Sequence, residues 1–208
     1  MSAAAGRSKK PVVVKIGGGA LAGGALEDLP GLLAGGTPVA LVHGGGNRLT
    51  RMLDALEIAT ELREGLRVTD EKTMAVAEMV FAGEVNKGLV RELYALGVPA
   101  AGISGTDGPT LRVEPIQNLG RVGGVKEVDG RLVETLWSGG FVPVLAPVGL
   151  GPEGAYNVNA DSAAAALAVG GMVPKIREAA EAARGGSRPG SSTATRAGRS
   201  PARSPGRG

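Results

Sequence analysis

The chain has 208 residues and a mass of 20.7 kDa, the size of one globular domain, with no cysteine and a single histidine, His43, so disulfides, thiolate zinc sites, cysteine nucleophiles and multi-histidine metal sites are excluded. The net charge of +3 and the pI of 9.4 come from the ends: Arg184, Arg188, Arg196, Arg199, Arg203 and Arg207 stand in a tail without an acid, Arg7, Lys9 and Lys10 stand at the start, and the stretch between is acidic on balance, so pI alone is no argument for a nucleic-acid partner, and only the arginine-rich tail is left as a place for RNA to touch. Only five residues are aromatic, too few for a base-stacking platform, and no apolar run approaches the ~18 residues of a membrane span.

Pro11–Ile16 reads as a short buried strand, apolar except for Lys15, that runs into Gly17–Gly19. A helix diluted by glycine is expected around 21–33, and a second buried strand at Pro38–His43 ends in Gly44–Gly46. A helix over Asn47–Leu56 follows. Thr69 is the expected N-cap of a long helix reaching Leu96, with Asp70 and Glu71 in the first turn, where the helix dipole favours acids. Phe81, Val85, Leu89 and Leu93 recur every four residues as one apolar stripe, and Gly97 ends the helix. A third strand is expected at Val98–Ile103, loops and hairpins over 104–130, a helix at Arg131–Ser138 and a fourth strand at Val142–Pro147. A small hairpin over Gly149–Val158 and an alanine-rich helix over Asn159–Val169 complete the series.

Strands alternating with helices predict an α/β sandwich on a mainly parallel sheet. Residues 1–10 are expected to be a flexible lead, 11–183 the folded domain and 184–208 a disordered tail, because that tail holds no Leu, Ile, Val, Met or aromatic residue to bury. The start, MSAAAGRSKK, lacks the apolar core of a signal peptide, so a cytoplasmic protein is expected.

The candidate chemistry lies in the glycines. Lys15 stands at the end of the first strand with Gly17–Gly19 after it, and His43-Gly44-Gly45-Gly46-Asn47 repeats the device on the second. Bare backbone before a helix N-terminus aims N–H groups at an anion, and Lys15 adds a full charge. Each motif alone is also explained by a tight strand-to-helix turn; two at consecutive strand ends suit two anions brought together. A Walker P-loop is absent, the partial match Gly17-x-Gly19-x-x-Ala22 lacks its acid near Val39–His43, and the HGGG oxyanion motif has no G-x-S-x-G partner. His43 reads better as a structural hydrogen-bond donor than as a catalyst. Arg67 is a candidate for bidentate carboxylate recognition or a surface ion pair. Asn157, Asn159 and Asp161 cluster before a helix, as a site or as local caps.

In order, VKIGGG, LVHGGGN, GLRVTD, GEVNK, SGTDG, PVLAPVG, YNVNAD and GGMVPK resemble the acetylglutamate kinases of the amino acid kinase family over about residues 11–183. The resemblance implies a three-layer αβα sandwich and transfer of the ATP γ-phosphoryl group to the side-chain carboxylate of N-acetyl-L-glutamate in arginine biosynthesis. It implies catalytic roles for Lys15, Lys175 and Asp161, phosphate contacts at Gly17, Gly18 and Gly44, and substrate contacts at Gly45, Gly46, Arg67, Asn157 and Asn159. It implies MgATP, with the ion carried by the nucleotide and no dedicated metal site, and a homodimer formed through the 69–96 helix, whose stripe reads equally as core. Gly170-Gly171-Met172 follows Val169 at once, where the family pattern has a further strand–helix unit, so the ATP-binding part is expected to be incomplete. The alternatives are a catalytically impaired acetylglutamate-binding or dimer-partner chain, or a kinase of N-acetylaminoadipate.

Overall fold

The computed structural model describes residues 9–17, 26–63, 65–172 and 176–178. In chain order the elements are β1 (Val12–Ile16), α1 (Leu29–Ala34), β2 (Val39–His43), α2 (Gly46–Ala55), β3 (Leu62–Arg63), β4 (Leu66–Arg67), α3 (Glu71–Glu78), a π-helical segment (Met79–Val85) and α4 (Asn86–Ala95). There follow β5 (Ala100–Ser104), β6 (Leu111–Pro115), β7 (Val122–Val128), α5 (Arg131–Ser138), β8 (Val142–Ala146), β9 (Val148–Gly151), β10 (Gly154–Val158), α6 (Ala160–Leu167), a second π-helical segment (Ala168–Met172) and β11 (Ile176–Glu178).

Five parallel strands form the main sheet in the order β11-β1-β2-β8-β5. Both faces are covered, which is why β1, β2, β5 and β8 are nearly continuous apolar runs in the sequence, Lys15 being the one charged residue among them. Val13, Ala40, Val42 and Leu145 pack on Val133 of α5 and on Ala163, Ala164 and Leu167 of α6. Val12, Val14, Ile16, Val39, Leu41 and Val144 point the other way, onto Leu29 of α1 and Leu89 and Leu93 of α4. This is the expected three-layer α/β arrangement. A second, closed sheet of four strands, β10-β7-β6-β9, joins the first core through Leu111, Val113, Tyr156 and Val158. Its two antiparallel pairs, β6–β7 and β9–β10, are the hairpins expected within 104–130 and 149–158. The parallel pairings β7–β10 and β6–β9 that close it carry no local sequence signal.

The long helix runs continuously from Glu71 to Ala95, but its cap is Asp70, not Thr69. Asp70 Oδ1 accepts from the Thr73 N–H at 2.7 Å, while the Thr69 hydroxyl donates to Arg67 O at 2.8 Å. Gly97, at φ +74°, terminates the helix as expected: its N–H reaches Tyr94 O at 3.0 Å and the Val98 N–H reaches Leu93 O at 2.9 Å. Phe81, Val85, Leu89 and Leu93 are all buried, so the apolar stripe is core. Of the helix expected around 21–33, the structure describes α1 alone. Gly18, Lys175 and the 184–208 tail lie outside the described residues.

Candidate active site

Parallel pairing of β1 with β2 sets Ile16 beside His43, so the two glycine turns leave the sheet side by side. Against this end stand the β4 hairpin, the end of β10 and the first turn of α6. Together they enclose a cavity of about 350 Å³ bordered by Lys15, Gly44, Gly45, Gly46, Arg67, Asn157, Asn159 and Asp161. Among the described site candidates only Gly17 does not border it; Gly17 follows β1 at the same end, with open space where a Cβ would stand.

Lys15 Nζ lies 2.9 Å from Asp161 Oδ1; the lysine side chain is 20% exposed and the carboxylate 60%. A pair this open to solvent contributes little to stability, about 0–1 kcal/mol, so its consequence is to hold the ammonium at the cavity wall. Asp161 does not cap α6. Asn159 does, its Oδ1 accepting from the Asp161 and Ser162 N–H groups at 2.9 and 3.0 Å. The capping interpretation of Asn159 therefore holds, although the residue also borders the cavity.

The glycines divide their work. The Gly44 N–H donates to Ile16 O at 2.8 Å and its carbonyl accepts from His43 Nδ1 at 2.8 Å, so Gly44 lines the cavity without offering a donor to it. Gly45 and Gly46 begin α2, where the first N–H groups have no intrahelical acceptor. A Cβ on Gly45 would stand 2.8 Å from Phe81 Cδ1, whereas a Cβ on Gly46 would meet nothing within 4 Å.

Arg67 is tied to a hydroxyl and not to a surface carboxylate. Its Nη2 donates to Thr50 Oγ1 at 2.7 Å, and Thr50 donates in turn to Gly46 O at 2.9 Å. Asn157 Nδ2 donates to Thr69 Oγ1 at 3.2 Å. One chain of hydrogen bonds thus runs from the second glycine turn through Thr50, Arg67 and Thr69 to Asn157. Thr50 stands outside the motifs and was not legible as a site support; Thr69 lies within GLRVTD, but its capping propensity masked its link to Asn157. Asn86 lies within GEVNK, but nothing in that motif told which buried groups its amide would meet.

His43 is nearly enclosed, and burial, followed by the field of Lys87, pushes its pKa down to about 4 against the opposing bond to Gly44. The ring is neutral near pH 7, as suits a structural donor. Fold and cavity together define an α/β protein with a cavity at the carboxyl ends of parallel strands, where a lysine, an arginine and helix-start N–H groups are the counterparts an anion would require.

The amino acid kinase family model matches residues 10–170, and the chain belongs to that family. It is similar to the acetylglutamate kinase of Rubrobacter xylanophilus, 60% identical, with 85% of this chain and 86% of that protein aligned. The aligned stretch of 218 positions exceeds the length of this chain, so the relative holds residues with no counterpart here. It is also similar to the acetylglutamate kinases of Geobacillus kaustophilus, at 44% identity, and Clostridioides difficile, at 40%, spanning 64% and 58% of their lengths. Among solved structures, it resembles the Streptococcus mutans UA159 protein smu.665, with TM-score 0.72, 28% identity, and 76% of this chain and 67% of that one covered. It also resembles the N-acetylglutamate synthase of Neisseria gonorrhoeae complexed with coenzyme A and N-acetyl-glutamate, with TM-score 0.66, 27% identity, and coverage of 81% and 41%. The expected kinase type is the one these relatives are named for, and kinases of this family use ATP.

Proposed function

We propose that the chain transfers the γ-phosphoryl group of MgATP to the side-chain carboxylate of N-acetyl-L-glutamate. The observation that carries this reading is the single cavity that brings Lys15, the Gly45–Gly46 helix start and Arg67 together. Two anions repel, so positioning and charge neutralisation are what the protein has to supply. Arg67, already oriented by Thr50, takes the α-carboxylate as a bidentate donor. Asn157 and Asn159 border the same substrate pocket. The Gly45 and Gly46 N–H groups face the side-chain carboxylate, whose oxygen attacks the γ-phosphorus as the bond to the β-phosphate oxygen breaks. Lys15, braced by Asp161, offsets the charge on the moving phosphoryl group, and Lys175 is assigned the same task from sequence. Gly17 and Gly18 would approach the phosphates as bare backbone. Mg²⁺ would enter with the nucleotide. No covalent enzyme intermediate is required.

A coupled assay of ADP release in the presence of N-acetyl-L-glutamate tests this directly. Turnover is expected, and Lys15→Ala should reduce it by about 10²-fold or more. Absence of turnover in the wild-type chain sinks the proposal. N-acetyl-L-aminoadipate in place of the glutamate derivative tests the neighbouring substrate. A second interpretation, acetylglutamate binding without turnover, is favoured by the residues of the Rubrobacter relative that have no counterpart here. Its mark is acetylglutamate binding with no ATP binding.

Homodimerisation through the 69–96 helix belongs to the same proposal. The stripe is buried, so the face left for a partner carries the exposed Met79 and Tyr94. A cytoplasmic location is likewise proposed; no helix among the described residues is long and apolar enough to cross a membrane.

A further inference from the structure

The π-helical segment and the residue after it deliver two side chains to the back of the second glycine turn. Phe81 closes on Gly45. Asn86, fully buried, directs Nδ2 at Val144 O, at His43 Nε2 and at Ile103 O, at 2.8, 3.2 and 3.3 Å. Carbonyl oxygens only accept, so the amide must present its N–H groups on this side. Its Oδ1 is turned to Lys87 Nζ, 3.1 Å away, a group that only donates. Toward His43 the amide is therefore a donor, and Nε2 is the bare nitrogen of the ring. The ring proton sits on Nδ1, which donates to Gly44 O. Across a trans peptide the carbonyl of one residue and the N–H of the next point to opposite sides. Holding the Gly44 carbonyl toward His43 turns the Gly45 N–H away from it.

We propose that His43 is a positioning residue of the phosphoryl-transfer site: Asn86 holds it in the Nδ1–H tautomer, and through the Gly44 carbonyl it sets the direction of the Gly45 N–H. The inference rests on the substrate role proposed above for Gly45. It gives the GEVNK motif a task that the cavity residues alone do not explain. Protonation of Nε2 would set an N–H against the Asn86 N–H groups, so the arrangement also requires a neutral ring. Lys87 is the charged side chain whose field reaches His43, and it opposes the same protonation. Gly102 completes the device. A Cβ there would fall 1.9 Å from Asn86 Oδ1, so glycine at this point of β5 is what lets Asn86 sit where it does.

Histidine-selective ¹⁵N labelling of the full chain yields one imidazole, because His43 is the only histidine. Nδ1 is expected to resonate as a pyrrole-type nitrogen and Nε2 as a pyridine-type nitrogen, unchanged down to about pH 5. An Nε2–H tautomer, or titration near the ordinary histidine value, overturns the proposal. The kinetic arm compares two variants with the wild type. His43→Asn keeps an amide N–H near the position of Nδ1, and His43→Leu removes it. The leucine variant is expected to lose roughly 10²-fold in kcat with KM little changed, and the asparagine variant to regain about tenfold. Equal losses in both variants, or a loss confined to KM, overturn the assignment. Should the wild type bind acetylglutamate without turnover, the ring tautomer alone decides, and an Nε2–H ring overturns the assignment. The tautomer is read without turnover, so failure of the kinase reading and failure of this inference are distinguishable.

Discussion

Gly45 and Gly46 are adjacent, yet a methyl group should act on them in opposite ways. At Gly45 it would enter the Phe81 ring, with Val85 Cγ2 a further 3.4 Å contact, and something in the buried cluster must shift. Overpacking of this kind costs about 1–3 kcal/mol. At Gly46 it would stand in open space on the first turn of α2, where alanine is a better helix former than glycine. Gly45→Ala should therefore lower the denaturation midpoint. Gly46→Ala should leave it unchanged or raise it, while weakening acetylglutamate binding by placing a methyl at the cavity wall. Chemical denaturation and calorimetric titration of the two variants separate the effects, and equal stability losses would contradict the packing described. At the same scale, His43 makes stability depend on pH. Its pKa of about 4 in the folded chain lies below the ordinary 6.5. The unfolded chain therefore binds the extra proton between those values. Stability from this group is complete above pH 6.5, falls as pH drops toward 4, and levels off below. The full change is on the order of 3 kcal/mol, and His43→Leu should flatten that part of the stability–pH curve.

Elements show why some of this was legible and some not. Four strands of the main sheet, β1, β2, β5 and β8, stand within two residues of their expected bounds, because burial on both faces favours near-continuous apolar runs, whereas β11 was not anticipated: with Arg177 and Glu178 it offers no such run. The α5 bounds match, and Gly97 ends the long helix where a positive φ is needed. The site was legible for the same reason: two glycine turns at the ends of adjacent parallel strands have to converge. The cap misassignment has a local cause. Thr69 and Asp70 are both good capping residues, and only tertiary contact decides between them. The Thr69 hydroxyl is drawn to Arg67 O and Asn157, which leaves Asp70 to cap. Asp70→Ala should cost about 1 kcal/mol, and Thr69→Ala should instead weaken substrate binding through Asn157. Thermal unfolding with acetylglutamate titration distinguishes them. The cap also carries a pH signature. The Thr73 hydrogen bonds, backbone first, hold the Asp70 carboxyl below the usual carboxylate range. Its contribution is complete above the ordinary carboxylate pKa and is lost as pH falls through the depressed one. The π-helical segment was illegible, because a run of apolar residues at four-residue spacing reads the same whether the intervening turns are α or π. It shows only in what it places together: Phe81 on Gly45 and, one residue past its end, Asn86 on His43.

At the scale of the whole molecule, the described cavity holds groups suited to a dicarboxylate, with Gly46, Arg67 and Asn157 joined in one hydrogen-bonded frame through Thr50 and Thr69. A ligand that binds only the folded chain stabilises it by mass action, by about 2.7 kcal/mol at a concentration 100 times its Kd. N-acetyl-L-glutamate should therefore raise the melting temperature in a concentration-dependent way. Arg67→Ala should abolish the rise, because the α-carboxylate then faces no guanidinium. Thr50→Val should reduce it without abolishing it, since the guanidinium survives but loses the hydroxyl that orients it. MgATP, titrated separately, examines the other half of the reaction. A rise with both ligands fits the kinase, and a rise with acetylglutamate alone fits the binding chain. A melting temperature indifferent to acetylglutamate at saturating concentration would remove the carboxylate pocket on which both rest. The nucleotide result alone would not rescue it, because Lys15 and bare backbone attract any phosphate, whereas Arg67 on its Thr50 strut has a task only if a second anion sits beside it.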